Sequence, residues 1–141
     1  MTSYLNPYLQ LAGRAREAME HYRDVLGGTL VTTTFGESGA TGPGSELLLH
    51  ARLDTDLGFV LMASDTGPVG ADGPQGATVS GMVVSLTGDD AGALHGYWDR
   101  LVEGGRVTTP MEAHPWGDEF GQLVDRFGVP WMVNIAPPAS T

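Results

Sequence analysis

A chain of 141 residues is long enough for one domain burying roughly two-thirds of its unfolded surface, and its 41% hydrophobic content suits a globular protein. Seventeen acidic residues against seven basic ones give a net charge of −10, which repels a phosphate backbone and argues against a nucleic-acid partner. With neither cysteine nor lysine, the chain has no thiolate nucleophile, zinc–sulfur site, Schiff base or Walker-type phosphate lysine. No apolar run approaches the ~20 residues of a membrane span. The opening Met1-Thr2-Ser3-Tyr4-Leu5-Asn6-Pro7 lacks the basic and apolar blocks of a secretory leader. Together with the absence of cysteine, this sets the expectation of a cytoplasmic protein with no membrane partner.

Residues 4–11 alternate as a strand, with Leu5, Leu9 and Leu11 on one face and Asn6, Tyr8 and Gln10 on the other. From about Arg14 to Leu26 the period changes. Ala15, Ala18, Met19, Tyr22, Val25 and Leu26 fall at helical spacing, and Gly27-Gly28 supplies the stop. Strands are expected at about 29–35, 46–53 and 57–64, with the Gly/Pro-rich segment 36–45 as a mobile hairpin connection. Residues 66–78 carry no periodicity and read as a linker. A strand at about 79–86 follows, then a helix from about Asp89 to Glu103 with Leu94, Tyr97, Trp98, Leu101 and Val102 as its buried stripe. Short strands at about 106–109, 119–125 and 130–135 complete the chain.

These elements repeat. Asn6-Pro7-Tyr8-Leu9-Gln10-Leu11 reads onto Gly81-Met82-Val83-Val84-Ser85-Leu86 in alternation and polarity. Each half then has a helix, a Gly-Gly pair (Gly27-Gly28, Gly104-Gly105) and a closing strand, Gly58 to Ser64 in one and Gly128 to Asn134 in the other. The expected fold class is α+β: two βαβββ modules whose curved mixed half-sheets enclose a cleft, all within one domain spanning 1–141. Module one covers about 1–65, the linker 66–78 and module two about 79–136.

Parity assigns the faces. Leu61 and Trp131 go to the helices, leaving Met62, Ser64, Met132 and Asn134 to face inward with Asn6, Tyr8 and Gln10. Gly81, Val83 and Ser85 follow the same logic in module two. Around 46–53, Leu47, Leu49, Ala51 and Leu53 suit the helix side, so His50 and Arg52 share the cleft side.

Several of these segments resemble PhnB-like members of the vicinal oxygen chelate superfamily. The resemblance is carried by Pro7-Tyr8-Leu9, Arg16 to Tyr22, Gly27-Gly28 and Leu61-Met62-Ala63-Ser64-Asp65. It continues through Trp116-Gly117-Asp118-Glu119-Phe120-Gly121 and Asp125 to Asn134, and covers almost the whole chain. That superfamily includes glyoxalases, extradiol dioxygenases, fosfomycin-modifying enzymes and bleomycin-binding resistance proteins, and it is built from paired βαβββ modules. Its metal-dependent members place His or Glu on the first and last strands of each module. The resemblance implies that these positions correspond here to Asn6, Met62, Gly81 and Met132. None is a normal ligand for a divalent cation, and a one-residue slip brings in only Ser80 or Asn134. No metal and no cofactor are expected.

Among titratable residues, His50 is a weak candidate acid/base, because it sits mid-strand on the cleft side and would need a partner and a substrate proton within ~3 Å. The alternative is a polar strand residue hydrogen-bonded to a neighbour. His21 with Glu17 and His95 with Asp99 read as surface i,i+4 pairs worth ~0.3 kcal/mol. The segment His114 to Glu119 reads equally as an aromatic lid carrying Trp116 or as a packed rim loop. The inward Met62 and Met132 suit an apolar or aromatic ligand.

The expected function is binding of a small organic molecule by Asn6, Tyr8, Gln10, His50, Met62, Trp116, Met132 and Asn134, without metal. The alternative is a lyase, isomerase or dioxygenase-type enzyme of the same superfamily, metal-dependent or using His50. Open sheet edges and the habit of relatives imply a homodimer. The 66–78 linker, up to ~43 Å when extended, permits modules paired within a chain or swapped between chains.

Overall fold

In the computed structural model the described residues are 5–11, 13–65, 82–115 and 117–137. The chain divides into two compact units, Met1–Thr78 and Val79–Thr141. The linker assigned to 66–78 lies outside the described residues, as do Ser80, Gly81 and Trp116.

Unit one contains β1 (Tyr8–Gln10), α1 (Ala15–Leu26), β2 (Thr29–Thr34), β3 (Leu48–Asp54) and β4 (Val60–Ser64). Its four-stranded sheet has the order β1-β4-β3-β2, with β1 parallel to β4 and the other pairs antiparallel. Unit two contains β5 (Val84–Gly88), α2 (Ala91–Val102), β6 (Arg106–Ala113), β7 (Glu119–Val124) and β8 (Pro130–Ile135). Its order, β5-β8-β7-β6, and its strand directions are the same. The βαβββ repeat expected from the sequence is therefore present in both units.

Each helix buries its apolar stripe on one sheet face. In α1 the buried residues are Ala15, Ala18, Met19, Tyr22, Val25 and Leu26, the set its spacing predicts. The larger side chains among them contribute roughly 2 kcal/mol apiece relative to exposure. They cover Leu9, Leu11, Ala51, Leu53, Leu61 and Ala63 of the sheet. In α2 the buried set narrows to Leu94, Trp98 and Leu101, while Tyr97 and Val102 are only partly covered. The Trp98 indole fits because β7 has Gly121 beneath it, where a Cβ would stand 2.7 Å from Trp98 Cη2.

The Gly-Gly pair does the same work in both units. Gly27 and Gly104 both have φ +75°, the left-handed region that ends a helix without Cβ conflict. At the next residue the chain presses on a strand end. A Cβ on Gly28 would overlap the Asp54 carbonyl oxygen, and one on Gly105 would overlap that of Val124. The β3–β4 and β7–β8 turns also match. The amide of Thr55 bonds the Phe59 carbonyl and that of Asp125 the Val129 carbonyl, each at 2.9 Å.

Several expectations need correction. Leu5 is fully exposed, and the first strand is confined to Tyr8–Gln10. In β3 the core residue is Leu48, whereas Leu47 and Leu49 are only partly buried. The cause is a β-bulge: Thr33 pairs with His50 but Thr34 pairs with Leu48, so Leu49 is skipped and the alternation reverses. β6 is longer than expected, running through Pro110. It is an outer strand with two register shifts, where a missing N–H is tolerated. The 36–45 connection contains a 3₁₀ turn, Gly36–Ser38, closed by Gly36 N–H to the Ser45 carbonyl at 2.7 Å. His95 reaches across to Glu119 at 3.3 Å, an ion pair with α2's sheet rather than within the helix. Glu17 pairs with Arg14 at 3.4 Å. No helix among the described residues is long and apolar enough to cross a membrane.

Candidate functional site

The face of each sheet turned away from its helix carries the residues singled out from the sequence. In unit one, Tyr8, Met62, Arg52 and Val31 lie side by side across the four strands. One row on, Gln10 pairs with Ser64 and Thr33 with His50. Because β4 separates β1 from β3, Tyr8 and His50 can meet only by closing over the central strand. They do: Tyr8 Oη lies 3.2 Å from His50 Nδ1, with ring centroids 5.8 Å apart and planes inclined by 34°. Ser64 is fully buried although it shares this face with the half-exposed Met62, consistent with side chains from the flanking strands covering it.

Arg52 donates from Nε and Nη2 to the two Asp54 oxygens at 2.9 Å each. The hydrogen bond from Arg52, reinforced by its charge, holds the Asp54 carboxyl below its ordinary value. The guanidinium is thereby offset, and the face has little net charge. Asn6 precedes β1, and its amide donates to the adjacent Pro7 carbonyl at 3.0 Å.

In unit two, Ser85, Met132, Gln122 and Thr109 form the corresponding row, and Thr87, Asn134, Phe120 and Glu112 the next. Asn134 Nδ2 donates to Asp118 Oδ2 at 2.9 Å, and Thr109 Oγ1 donates to Gln122 Oε1 at 3.3 Å. His114 packs edge-on against Phe120, centroids 6.0 Å apart. Its backbone amide bonds the Asp118 carbonyl at 2.8 Å, which folds the loop of which Trp116 is part.

Thus Tyr8, Gln10, His50 and Met62 share one face of unit one, and Met132 and Asn134 share one face of unit two. Val31, Thr33, Thr87, Thr109, Glu112, Phe120 and Gln122 belong to the same faces and were not singled out. The alternation of Phe120 and Gln122 against Gly121 and Leu123 was the available signal.

The register also tests the metal positions that the resemblance implies. Met62 stands opposite Tyr8, and Met132 opposite Ser85, on equivalent rungs of the parallel pairs. Two thioethers, a phenol and a hydroxyl are poor donors for the hard or borderline divalent ions used by glyoxalase-type enzymes. The nearest carboxylate in unit two, Asp118, is engaged by Asn134. Among the described residues, no group of three or more His, Asp or Glu side chains could hold a metal ion. The residues at these positions do not fit a divalent metal.

A separate hollow of about 340 Å³ opens at the start of α1, lined by Arg16, Glu17, Glu20, Glu46, Leu47, Gly13 and Asp65. It contains none of the expected site residues. Its one buried carboxylate is occupied, since Asp65 accepts from the Gly13, Ala15 and Leu48 amides at 2.7–2.8 Å.

Two mixed βαβββ sheets with these open faces define a glyoxalase-type fold. The model of the Glyoxalase/Bleomycin resistance protein/Dioxygenase superfamily matches residues 4–133, and the chain belongs to that superfamily. It is similar to Protein YjdN of Escherichia coli (strain K12), 29% identical over 97% of this chain and 98% of that protein. The crystal structure of protein PA1353 from Pseudomonas aeruginosa is 36% identical, with a TM-score of 0.81 over 96% of this chain and 99% of that one. A Bacillus cereus structure described as a putative 3-demethylubiquinone-9 3-methyltransferase, PhnB protein, shares the fold. It is 21% identical, with a TM-score of 0.73 over 95% of this chain and 100% of that one.

Proposed function

We propose that this superfamily member binds a small organic molecule on the open sheet faces of its modules, without a resident metal. The observation that supports it most directly is the composition of those faces. Polar groups able to orient a ligand (Tyr8, Gln10, His50, Asn134) stand beside the adaptable thioethers Met62 and Met132. The donors at the paired rungs suit an organic ligand better than a divalent cation.

The reading extends to setting and assembly. The protein is cytoplasmic, in keeping with the absence of cysteine, and takes neither nucleic acid nor membrane as partner, in keeping with the charge of −10. It forms a homodimer. β2, an outer strand of unit one, carries the uncharged run Thr29-Leu30-Val31-Thr32-Thr33-Thr34, and an edge without charge or proline is normally paired or covered.

The test is native mass spectrometry of the purified protein with elemental analysis. The expected result is a co-purified organic molecule, lost when Met62 and Met132 are replaced by Glu, and no stoichiometric metal. About one Ni, Zn, Mn or Fe per chain, lost on substitution of the same face residues, overturns the metal-free reading.

A further inference from the structure

We infer that Tyr8 fixes His50 as an Nε2–H hydrogen-bond donor, so that the open face of unit one selects a neutral ligand bearing a carbonyl-type acceptor oxygen. The inference rests on the binding function proposed above and narrows its ligand class. It begins with the 3.2 Å contact between Tyr8 Oη and His50 Nδ1. One proton lies between these atoms, and its owner decides what the other ring nitrogen can do. A phenol is a good donor and a poor acceptor, because its oxygen lone pair is drawn into the ring. A bare imidazole nitrogen is a good acceptor. The stronger arrangement therefore has Tyr8 O–H donating to Nδ1, which leaves the imidazole proton on Nε2. That tautomer is also the one a free histidine side chain prefers in water.

The consequence for chemistry is specific. With Nδ1 occupied by Tyr8 and Nε2 protonated, neutral His50 has no free lone pair with which to accept a proton from a substrate. It is a donor, not a base. Tyr8 is then a positioning residue, since its only hydroxyl proton is used on His50. The other groups on the face agree with an uncharged acceptor-bearing ligand. Met62 and Val31 offer apolar surface, Val31 being 60% exposed. Gln10 supplies an amide beside them. Arg52 is offset by Asp54, so no uncompensated cation on this face would draw an anion into a protein of charge −10.

The tautomer is read from the long-range ¹H–¹⁵N spectrum of the histidine rings in the wild-type protein, at a pH where His50 is neutral. An unprotonated Nδ1 displaced by hydrogen bonding and a protonated Nε2 are expected. In Y8F, Nδ1 should move to the position of an unbonded nitrogen. A protonated Nδ1 in wild type, or an Nδ1 unmoved by Y8F, overturns the assignment without reference to any ligand. Ligand selection is tested with two probes of similar shape, acetophenone as acceptor and aniline as donor. Acetophenone should bind more tightly and shift His50 Nε2–H, and Y8F should weaken it about fivefold, the scale of one hydrogen bond. Equal binding of aniline, or acetophenone binding that leaves His50 unmoved, overturns the selection while leaving the binding function intact. Failure of both probes to perturb either open face overturns the binding function and the selection with it.

Discussion

Asp65 accepts three backbone N–H groups from two elements far apart in sequence: Gly13 and Ala15 at the start of α1, and Leu48 at the start of β3. The helix has no side-chain cap of its own, its N-cap position being Arg14, so this carboxylate from the end of β4 takes that role and complements the helix dipole. Removing it leaves buried amides unsatisfied at about 1–3 kcal/mol each. D65A should therefore lose about 3 kcal/mol in urea denaturation, and D65N, which keeps one acceptor oxygen, should lose less. Asp125 has a matching role in unit two, accepting from Phe127, Val129 and the Trp131 indole at 2.9–3.0 Å. Arg52 and Asp54 make a solvent-facing pair of a different kind. Because the folded Asp54 carboxyl lies below its ordinary 3.8, any stability it adds is present above the unfolded value and fades as pH falls through the lowered one. In R52Q the Asp54 pKa should rise toward 3.8 in an NMR titration, with little change in overall stability because the pair is exposed.

At the scale of elements, the two helices differ in what starts them. Asp90 caps α2 locally, accepting from Ala93 N–H at 3.1 Å, whereas α1 depends on Asp65 from across the unit. The bulge in β3 is a second element-scale feature, because it exchanges the places of Leu48 and Leu49. Leu48 is fully buried, so L48A should cost about 3 kcal/mol, within the range for buried Leu→Ala. L49A should cost less than half of that, and similar losses for the two in thermal or urea melts would show the bulge to be absent. The helix stripe of α1 was readable residue for residue because a 3.6-residue period needs only the segment itself. The bulge was not readable, since it depends on how β3 meets β2, and neither strand's alternation announces it.

At the scale of the whole molecule, the repeated module is the principal finding. Both units show the same strand order, the same Gly-Gly geometry after the helix and the same turn before the last strand. The outer strands of the two sheets are not equivalent. β6 carries Arg106, Pro110 and Glu112, features that discourage edge pairing, while β2 carries none. An unprotected edge favours assembly with a second copy, and light scattering at micromolar concentration should give twice 14.8 kDa. A monomer would count against the proposed dimer.

By itself the sequence determined the module repeat, both helices, the order of strands and the side of each strand turned from its helix. All of these follow from local periodicity and from glycines whose conformation the chain direction demands. Only the tertiary structure decided which residues complete one another across distance: Tyr8 with His50 over β4, Asp65 with the α1 amides, His95 with Glu119, Asn134 with Asp118. Each partnership depends on strand register and on a side chain's reach, quantities set when separate segments pack, and no spacing along the chain encodes them.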